Sequence, residues 1–264
     1  MERKPNKLRT KLSSTGYVTG SAMFSWSPNV IEVAGHVGLD FMRIDNEHAW
    51  RQDSSVEHLL RAAHCAGIVP IIRVDKDNPY LIRKALETGA GGIIVPDVHT
   101  PEQAAAVVMA SKFPPRGTRG YSGNCWSAGW GTAAGREWVE WSDTEPMIGV
   151  MIENHEAMLC IDEILATDGL DFVLFGPADF SMSLGWRQPA KESDEIQEAL
   201  KRTIKAAKKA GKHVMLGVGV GENDINKYRE MGVTMFELAS DLKILADVWH
   251  RARDMVEFLG EPGQ

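Results

Sequence analysis

Cysteine is scarce in this sequence. Its 264 residues include three, Cys65, Cys125 and Cys160, isolated from one another and without a CxxC pair. That excludes a sulfur-rich metal site or a disulfide framework and points to a reducing, cytoplasmic setting. Long apolar runs are missing as well. None approaches the roughly 18 residues of a membrane span, and the basic start from Met1 to Leu12 lacks the apolar core of a signal peptide. No membrane partner is expected. Positive charge is not in excess either: the formal net charge of −7 gives no electrostatic reason to expect nucleic acid. The histidines other than His48 (His36, His58, His64, His99, His155, His213 and His250) are scattered, with no His-rich metal cluster.

What is present is enough apolar residue, 44% of the chain, for one substantial core. It is distributed in a regular alternation. Short strand-like runs are expected at Tyr17–Met23, Phe41–Asp45, Val69–Val74, Gly92–Val95, Met147–Glu153, Phe172–Phe175, His213–Val218 and Thr234–Leu238. Between them, apolar spacing predicts helices over Pro28–Gly35, Val56–Ala66, Tyr80–Thr88, Pro101–Ser111, His155–Ala166, Ser193–Ala210, Glu222–Met231 and Asp241–Phe258. Alternating β and α elements require parallel strands joined by right-handed crossovers, and eight such units close a barrel. The expectation is a (β/α)8 TIM barrel, with residues 1–264 forming one domain. One connection, Lys112 to Pro146, breaks the rhythm. It starts at the base of the barrel and carries Trp126, Trp130, Trp138 and Trp141. It reads as a packed irregular insertion with a short helix near Gly135–Trp141, or as a subunit contact.

In a parallel barrel the chemistry sits where strands end. The second strand runs into Asp45-Asn46-Glu47-His48, the third ends at Arg73, the fifth at Glu153, and the sixth leads into Gly176-Pro177-Ala178-Asp179. Glu153 and Asp179 are metal candidates, because hard cations take one or two protein carboxylates and leave positions open for substrate oxygens. Alternatively, Glu153 caps the helix near His155 and Asp179 caps the next turn. Arg73 can hold the oxygen of an enolate or pair with Asp75 or Asp77. His48 can be a base oriented by Asp45, or a plain surface residue. Gly217-Val218-Gly219-Val220-Gly221 can bind phosphate or simply make a turn.

At these residues the sequence resembles the HpcH/HpaI family of metal-dependent (class II) pyruvate aldolases. The likeness runs from about Gly20 to Leu245. It is carried by Ile44-Asp45-Asn46-Glu47-His48-Ala49, Arg73-Val74, Pro114-Pro115-Arg116-Gly117-Thr118-Arg119-Gly120, Ile152-Glu153, Gly176-Pro177-Ala178-Asp179 and Ser240-Asp241. The resemblance implies reversible, metal-dependent aldol cleavage of a 4-hydroxy-2-oxo acid, through an enolate, to pyruvate (or a related 2-oxo acid) and an aldehyde. It implies Glu153 and Asp179 as ligands of a divalent ion (Mg2+, Mn2+ or Co2+). Arg73 would stabilise the enolate, and His48 paired with Asp45 would govern the base. The backbone near Gly176, Pro177 and Ala178 would touch the pyruvate carboxylate. It further implies a homo-oligomer, trimer or hexamer, with the C-terminal helix exchanged between subunits. Other readings are an oxaloacetate-type decarboxylase using the same enolate, a Schiff-base aldolase using Lys76, and a non-catalytic 2-oxo acid-binding barrel.

Several positions depart from the family pattern. Met151 stands where Gln is usual, Ala22 where Trp is common (with Trp26 nearby), and Asn46 where a small or apolar residue is common. Arg43 and Glu237 occupy strand positions that are usually aliphatic. Period-two alternation puts Arg43 on the face of Asp45, so the expectation is that Arg43 and Glu237 pair inside the barrel beneath the site. Otherwise each has its own local partner.

Overall fold

The structure is a computed structural model that describes residues 4–48, 55–76, 78–219 and 221–260. The chain begins with a helix, α1 (Lys7–Thr15), and then alternates. β1 (Val18–Met23), α2 (Pro28–His36), β2 (Phe41–Asp45), α3 (Ser55–Ala66), β3 (Val69–Arg73), α4 (Pro79–Glu87) and β4 (Gly92–Val95) form the first half. After α5 (Pro101–Ser111) and the long insertion with α6 (Arg136–Thr144) come β5 (Met147–Ile152), α7 (His155–Leu159), α8 (Ile161–Leu165) and β6 (Phe172–Phe175). The last elements are α9 (Pro177–Ser183), α10 (Asp194–Ala210), β7 (His213–Gly217), α11 (Glu222–Met231), β8 (Met235–Leu238) and α12 (Asp241–Gly260). The strands close a parallel barrel in sequence order, β8 returning to β1. This is the expected (β/α)8 barrel, with strand ends within a residue of those predicted.

Strand alternation divides the core in two. One set of side chains, including Phe41, Ile71, Ile94, Met147, Phe172, Met215 and Met235, fills the barrel. The other set, including Ile44, Ile72, Ile93, Ile148, Val173 and Leu216, packs outward against the helices.

α1 was not expected, since its apolar content is the pair Leu8 and Leu12. Four residues apart, they share one face, and both join the interior cluster. The helix closes the mouth at which the strands begin. Asn6 caps it by accepting from Leu8 N at 3.0 Å, while Asn6 Nδ2 donates to Gly91 O at 2.7 Å and Glu145 O at 3.1 Å. Each buried leucine contributes on the order of 2 kcal/mol by area. The other end of the barrel is thus left to function.

Two further local expectations need correction. The single helix over His155–Ala166 is broken at Cys160, whose backbone leaves helical geometry (ψ 31°) and whose thiol donates to His99 O at 3.2 Å. Asp179 does not cap the turn after Gly176: that segment is the helix α9, with Gly176 at its N-cap and Asp179 inside its first turn. The tryptophan-rich insertion is packed. Phe113, Cys125, Ala128 and Trp138 make a satellite core, and Trp126 stacks on His64 of α3 with ring centroids 4.1 Å apart. Its Arg116–Gly120 run is a structural turn, tied by Thr118 N to Met109 O and Arg119 N to Lys112 O. No described helix is long and apolar enough to cross a membrane.

Candidate active site

The β5 and β6 ends supply two carboxylates. Glu153 follows β5 directly and is 5% exposed. Its Oε1 accepts the backbone N–H of Asp97 at 2.7 Å, whereas Oε2 is buried with no partner among the described residues. Gly176 explains how that oxygen fits: a Cβ there would stand 2.7 Å from Oε2. Glu153 does not cap α7. Asn154 does, accepting from Ala157 N at 2.8 Å. Asp179 lies in the first turn of α9, exposed at the rim. Burial, then the nearby charges of Asp179 and Glu47, push the Glu153 carboxyl up to about 7 despite the Asp97 bond.

A buried carboxylate oxygen with no donor, close enough to a second carboxylate to feel its charge, is the chemistry of a cation site. Among the described residues no group of three or more His, Cys, Asp or Glu side chains is arranged to hold a metal. Two carboxylates are nevertheless a sufficient protein share for a hard ion that keeps several open positions. The donors present fit such an ion.

The β2 and β3 ends supply a chain of alternating charges. Arg73, 4% exposed, places Nη2 on Asp45 Oδ2 and Nη1 2.8 Å from Glu47 Oε2. Its Nε is buried with no partner among the described residues. The alternative partner Asp75 is not used, and Asp77 lies outside the described residues. Asp45 is fully buried. Its Oδ1 accepts the backbone N–H groups of Glu47 (3.1 Å) and His48 (2.9 Å), and Oδ2 also takes Arg43 Nη1 at 2.9 Å. Burial alone would raise the Asp45 carboxyl, but Arg73 and Arg43 hold it below the usual carboxylate range.

The expected Asp45–His48 ring pairing is therefore corrected. All the lone-pair directions of Asp45 are taken by two arginines and two main-chain N–H groups. His48 is exposed, and the carboxylate near its ring is Glu47, with Oε2 3.9 Å from Nε2. Ala49, the last residue of that motif, lies outside the described residues. The Arg43–Glu237 pairing is found as expected: Arg43 Nη2 meets Glu237 Oε1 at 3.0 Å and Nε meets Oε2, with both residues buried.

Around this core, Met151 sets its sulfur 3.8 Å from Arg73 Nη1, an apolar wall beside the cation. Trp26 donates from its indole to Asp45 O at 2.8 Å, and Asp241 accepts from Phe24 N and Ser25 N, fixing the β1 exit. Gly176, Pro177 and Ala178 open α9 beside Glu153 with no side-chain cap, so first-turn N–H groups face the site's end of the barrel. The glycine run after β7 does not resemble a phosphate cradle. The Asp224 carboxylate lies 3.2 Å from where a Gly219 Cβ would stand, an anion where an anion would have to bind. Val220 lies outside the described residues.

Sequence reasoning missed Asp97 and gave Glu47 no role. Asp97 Oδ1 accepts from Asn154 Nδ2 at 3.0 Å and lies 2.7 Å from His99 Nε2, while Oδ2 meets Lys76. The strand-end test stopped at Val95. Two residues further it would have reached Asp97.

Comparison with known proteins gives consistent matches. The HpcH/HpaI aldolase/citrate lyase family matches residues 21–248. The 2-dehydro-3,6-dideoxy-6-sulfogluconate aldolase of Pseudomonas putida is 31% identical over 226 residues, covering 86% of this chain and 87% of the relative. The 5-keto-4-deoxy-D-glucarate aldolase of Escherichia coli (strain K12 / DH10B) is 30% identical over 250 residues, 95% of this chain and 96% of the relative. The crystal structure of the HpcH/HpaI aldolase from Desulfitobacterium hafniense DCB-2 superposes with a TM-score of 0.86 at 28% identity, covering 97% of this chain and 98% of the other.

Proposed function

The chain belongs to the HpcH/HpaI aldolase/citrate lyase family, and we propose that it is a divalent-metal-dependent lyase that cleaves a 4-hydroxy-2-oxo acid reversibly. The products are pyruvate, or a related 2-oxo acid, and an aldehyde. The observation that carries this reading is the unpartnered, buried Glu153 Oε2 held open by Gly176 beside Asp179.

Glu153 and Asp179 would hold the ion, Mg2+, Mn2+ or Co2+. When bound, it supplies a Lewis acid that polarises the C2 carbonyl and gathers the 2-oxo acid's oxygens. Of the backbone at Gly176, Pro177 and Ala178, the Ala178 N–H suits the substrate carboxylate, since proline has no N–H and the Gly176 N–H is held by Ile152 O at 3.0 Å. Arg73 is held by Asp45 and Glu47, so its guanidinium cannot turn away, and its free Nε suits an oxygen that gains charge at C2. Met151 keeps water from that side.

In the cleavage direction a base takes the C4 hydroxyl proton and the C3–C4 bond breaks. Its electron pair enters the C2–C3 enolate, the aldehyde leaves, and C3 is then protonated to the methyl of pyruvate. His48 is the base, directly or through a water, with Glu47 rather than Asp45 as its neighbouring carboxylate.

The apolar residues left exposed on α12 (Leu242, Leu245, Val248, Trp249, Met255 and Phe258) favour a homo-oligomer, trimer or hexamer, in which this helix is exchanged between subunits. The three free cysteines accord with a reducing, cytoplasmic setting. The test is lyase activity on a 4-hydroxy-2-oxo acid after EDTA treatment. Activity should vanish and return on adding Mg2+, Mn2+ or Co2+; activity indifferent to chelation contradicts the reading.

A further inference from the structure

Arg43 and Glu237 do not touch the carboxylates that would hold the ion, yet they are built into the same charge chain. It runs Glu237, Arg43, Asp45, Arg73, Glu47, alternating in sign from β8 to the rim beyond β2. The geometry beneath it is specific. β1 lies between β8 and β2, with Gly20 in register with Glu237 and Ala22 in register with Arg43. Parallel partners in register share a face. At these two positions β1 presents a hydrogen and a methyl on the inner surface, and the side chains of β2 and β8 can meet across it. Ala22, itself a departure from the family pattern, belongs to the same arrangement.

Three nitrogens of Arg43 serve three oxygens: Nε and Nη2 on Glu237, Nη1 on Asp45. Asp45 Oδ2 in turn bridges Arg43 and Arg73, while Oδ1 holds the Glu47–His48 main chain. A carboxylate gripped from both sides cannot rotate, so the guanidinium on its far side is fixed as well.

We propose that Arg43 and Glu237 are positioning residues for Arg73, acting through Asp45, and so set the orientation of the cation that meets the enolate oxygen. This rests on the enolising reading given above. It predicts a loss in the step where charge develops, with substrate binding largely kept.

The test uses the full-length, metal-loaded protein. Oxalate, a planar dianion shaped like the pyruvate enolate, is titrated beside pyruvate, and the rate and half-saturation of pyruvate methyl-proton exchange are measured separately. Arg43→Met alone leaves Glu237 buried without a cation and is expected to fold poorly. The deciding variants are two. Arg43→Met with Glu237→Leu leaves neither member of the pair as a lone charge. Arg43→Lys keeps a cation for Glu237 but offers one nitrogen where three serve now.

In both, oxalate affinity and the maximal exchange rate should fall at least tenfold, while half-saturation by pyruvate changes less than threefold. Wild-type oxalate affinity and rate in either variant overturn the proposal. So does a loss of pyruvate and oxalate affinity in equal proportion, which would mark a purely structural role. If the unaltered protein neither exchanges methyl protons nor binds oxalate with metal, the enolising reading has failed instead, and the two failures are distinguishable.

Discussion

Asp97 donates its backbone N–H to Glu153 Oε1 at 2.7 Å from a left-handed backbone conformation, φ 50°. Its side chain is anchored by Lys76, His99 and Asn154. That conformation costs a residue with a Cβ about 1 kcal/mol, less for Asp than for most. The three anchors offset it. One oxygen of Glu153 is thereby occupied and the other is left facing Gly176 and the Asp179 side. Asp97→Ala should weaken Mn2+ binding several-fold, with Asp97→Gly intermediate because glycine accepts the left-handed backbone freely. Titration followed by electron paramagnetic resonance reads this. Equal Mn2+ affinity in Asp97→Ala and the unaltered protein would show that the side chain positions nothing.

Glu153 also makes stability depend on pH in an unusual direction. Its folded-state carboxyl is raised to about 7, above the ordinary value near 4.5, by burial first and by Asp179 and Glu47 next. Ionising it therefore costs the folded state. The metal-free protein has its full stability from this group below about pH 4.5 and loses it as pH rises from there through 7. Glu153→Gln should raise the melting temperature of the metal-free protein at pH 8, by at most on the order of 2–3 kcal/mol in stability. The gap should be small at pH 5. Metal should reverse the order at pH 8, because the substitution removes one of the two carboxylates that would hold it. A metal-free Glu153→Gln variant that melts lower at pH 8 would contradict this.

Arg73→Lys tests the cation's shape rather than its charge. A lysine cannot hold Asp45 and Glu47 and still offer a free N–H in the plane of the guanidinium. The maximal rate should fall about 10²–10³-fold, the cost of losing one oriented donor. A loss confined to KM would point to a binding role only.

The base of the barrel should be separable from the chemistry. Leu8 and Leu12 plug the end opposite Glu153. Leu8→Ala should cost about 2–5 kcal/mol in urea unfolding. At low temperature, where the variant remains folded, kcat should be unchanged. A large kcat loss in folded Leu8→Ala would mean that the two ends are coupled.

How legible all this was in the sequence varied with the physics involved. The strands were readable because each is a short apolar run between helical patterns, and strand ends located Asp45, Arg73, Glu153 and Asp179. Period-two alternation put Arg43 on the face of Asp45, while its pairing with Glu237 was an expectation drawn from two charges at usually aliphatic positions. α1 was not legible, since two leucines among polar residues carry almost no periodic signal and their partners are far along the chain. Nor could alternation say which lone pairs of Asp45 are used. That depends on Arg43, Arg73 and the Glu47–His48 backbone competing for one carboxylate, and their arrangement leaves the His48 ring to Glu47.

The most direct test of the central claim is deuterium incorporation into the pyruvate methyl group, followed by proton magnetic resonance. The predicted result is exchange with Mg2+ or Mn2+ present, none after EDTA, and none in Glu153→Gln with the same metal. Exchange that survives EDTA, or persists in Glu153→Gln, would contradict a metal held by Glu153 and Asp179 as the source of enolisation.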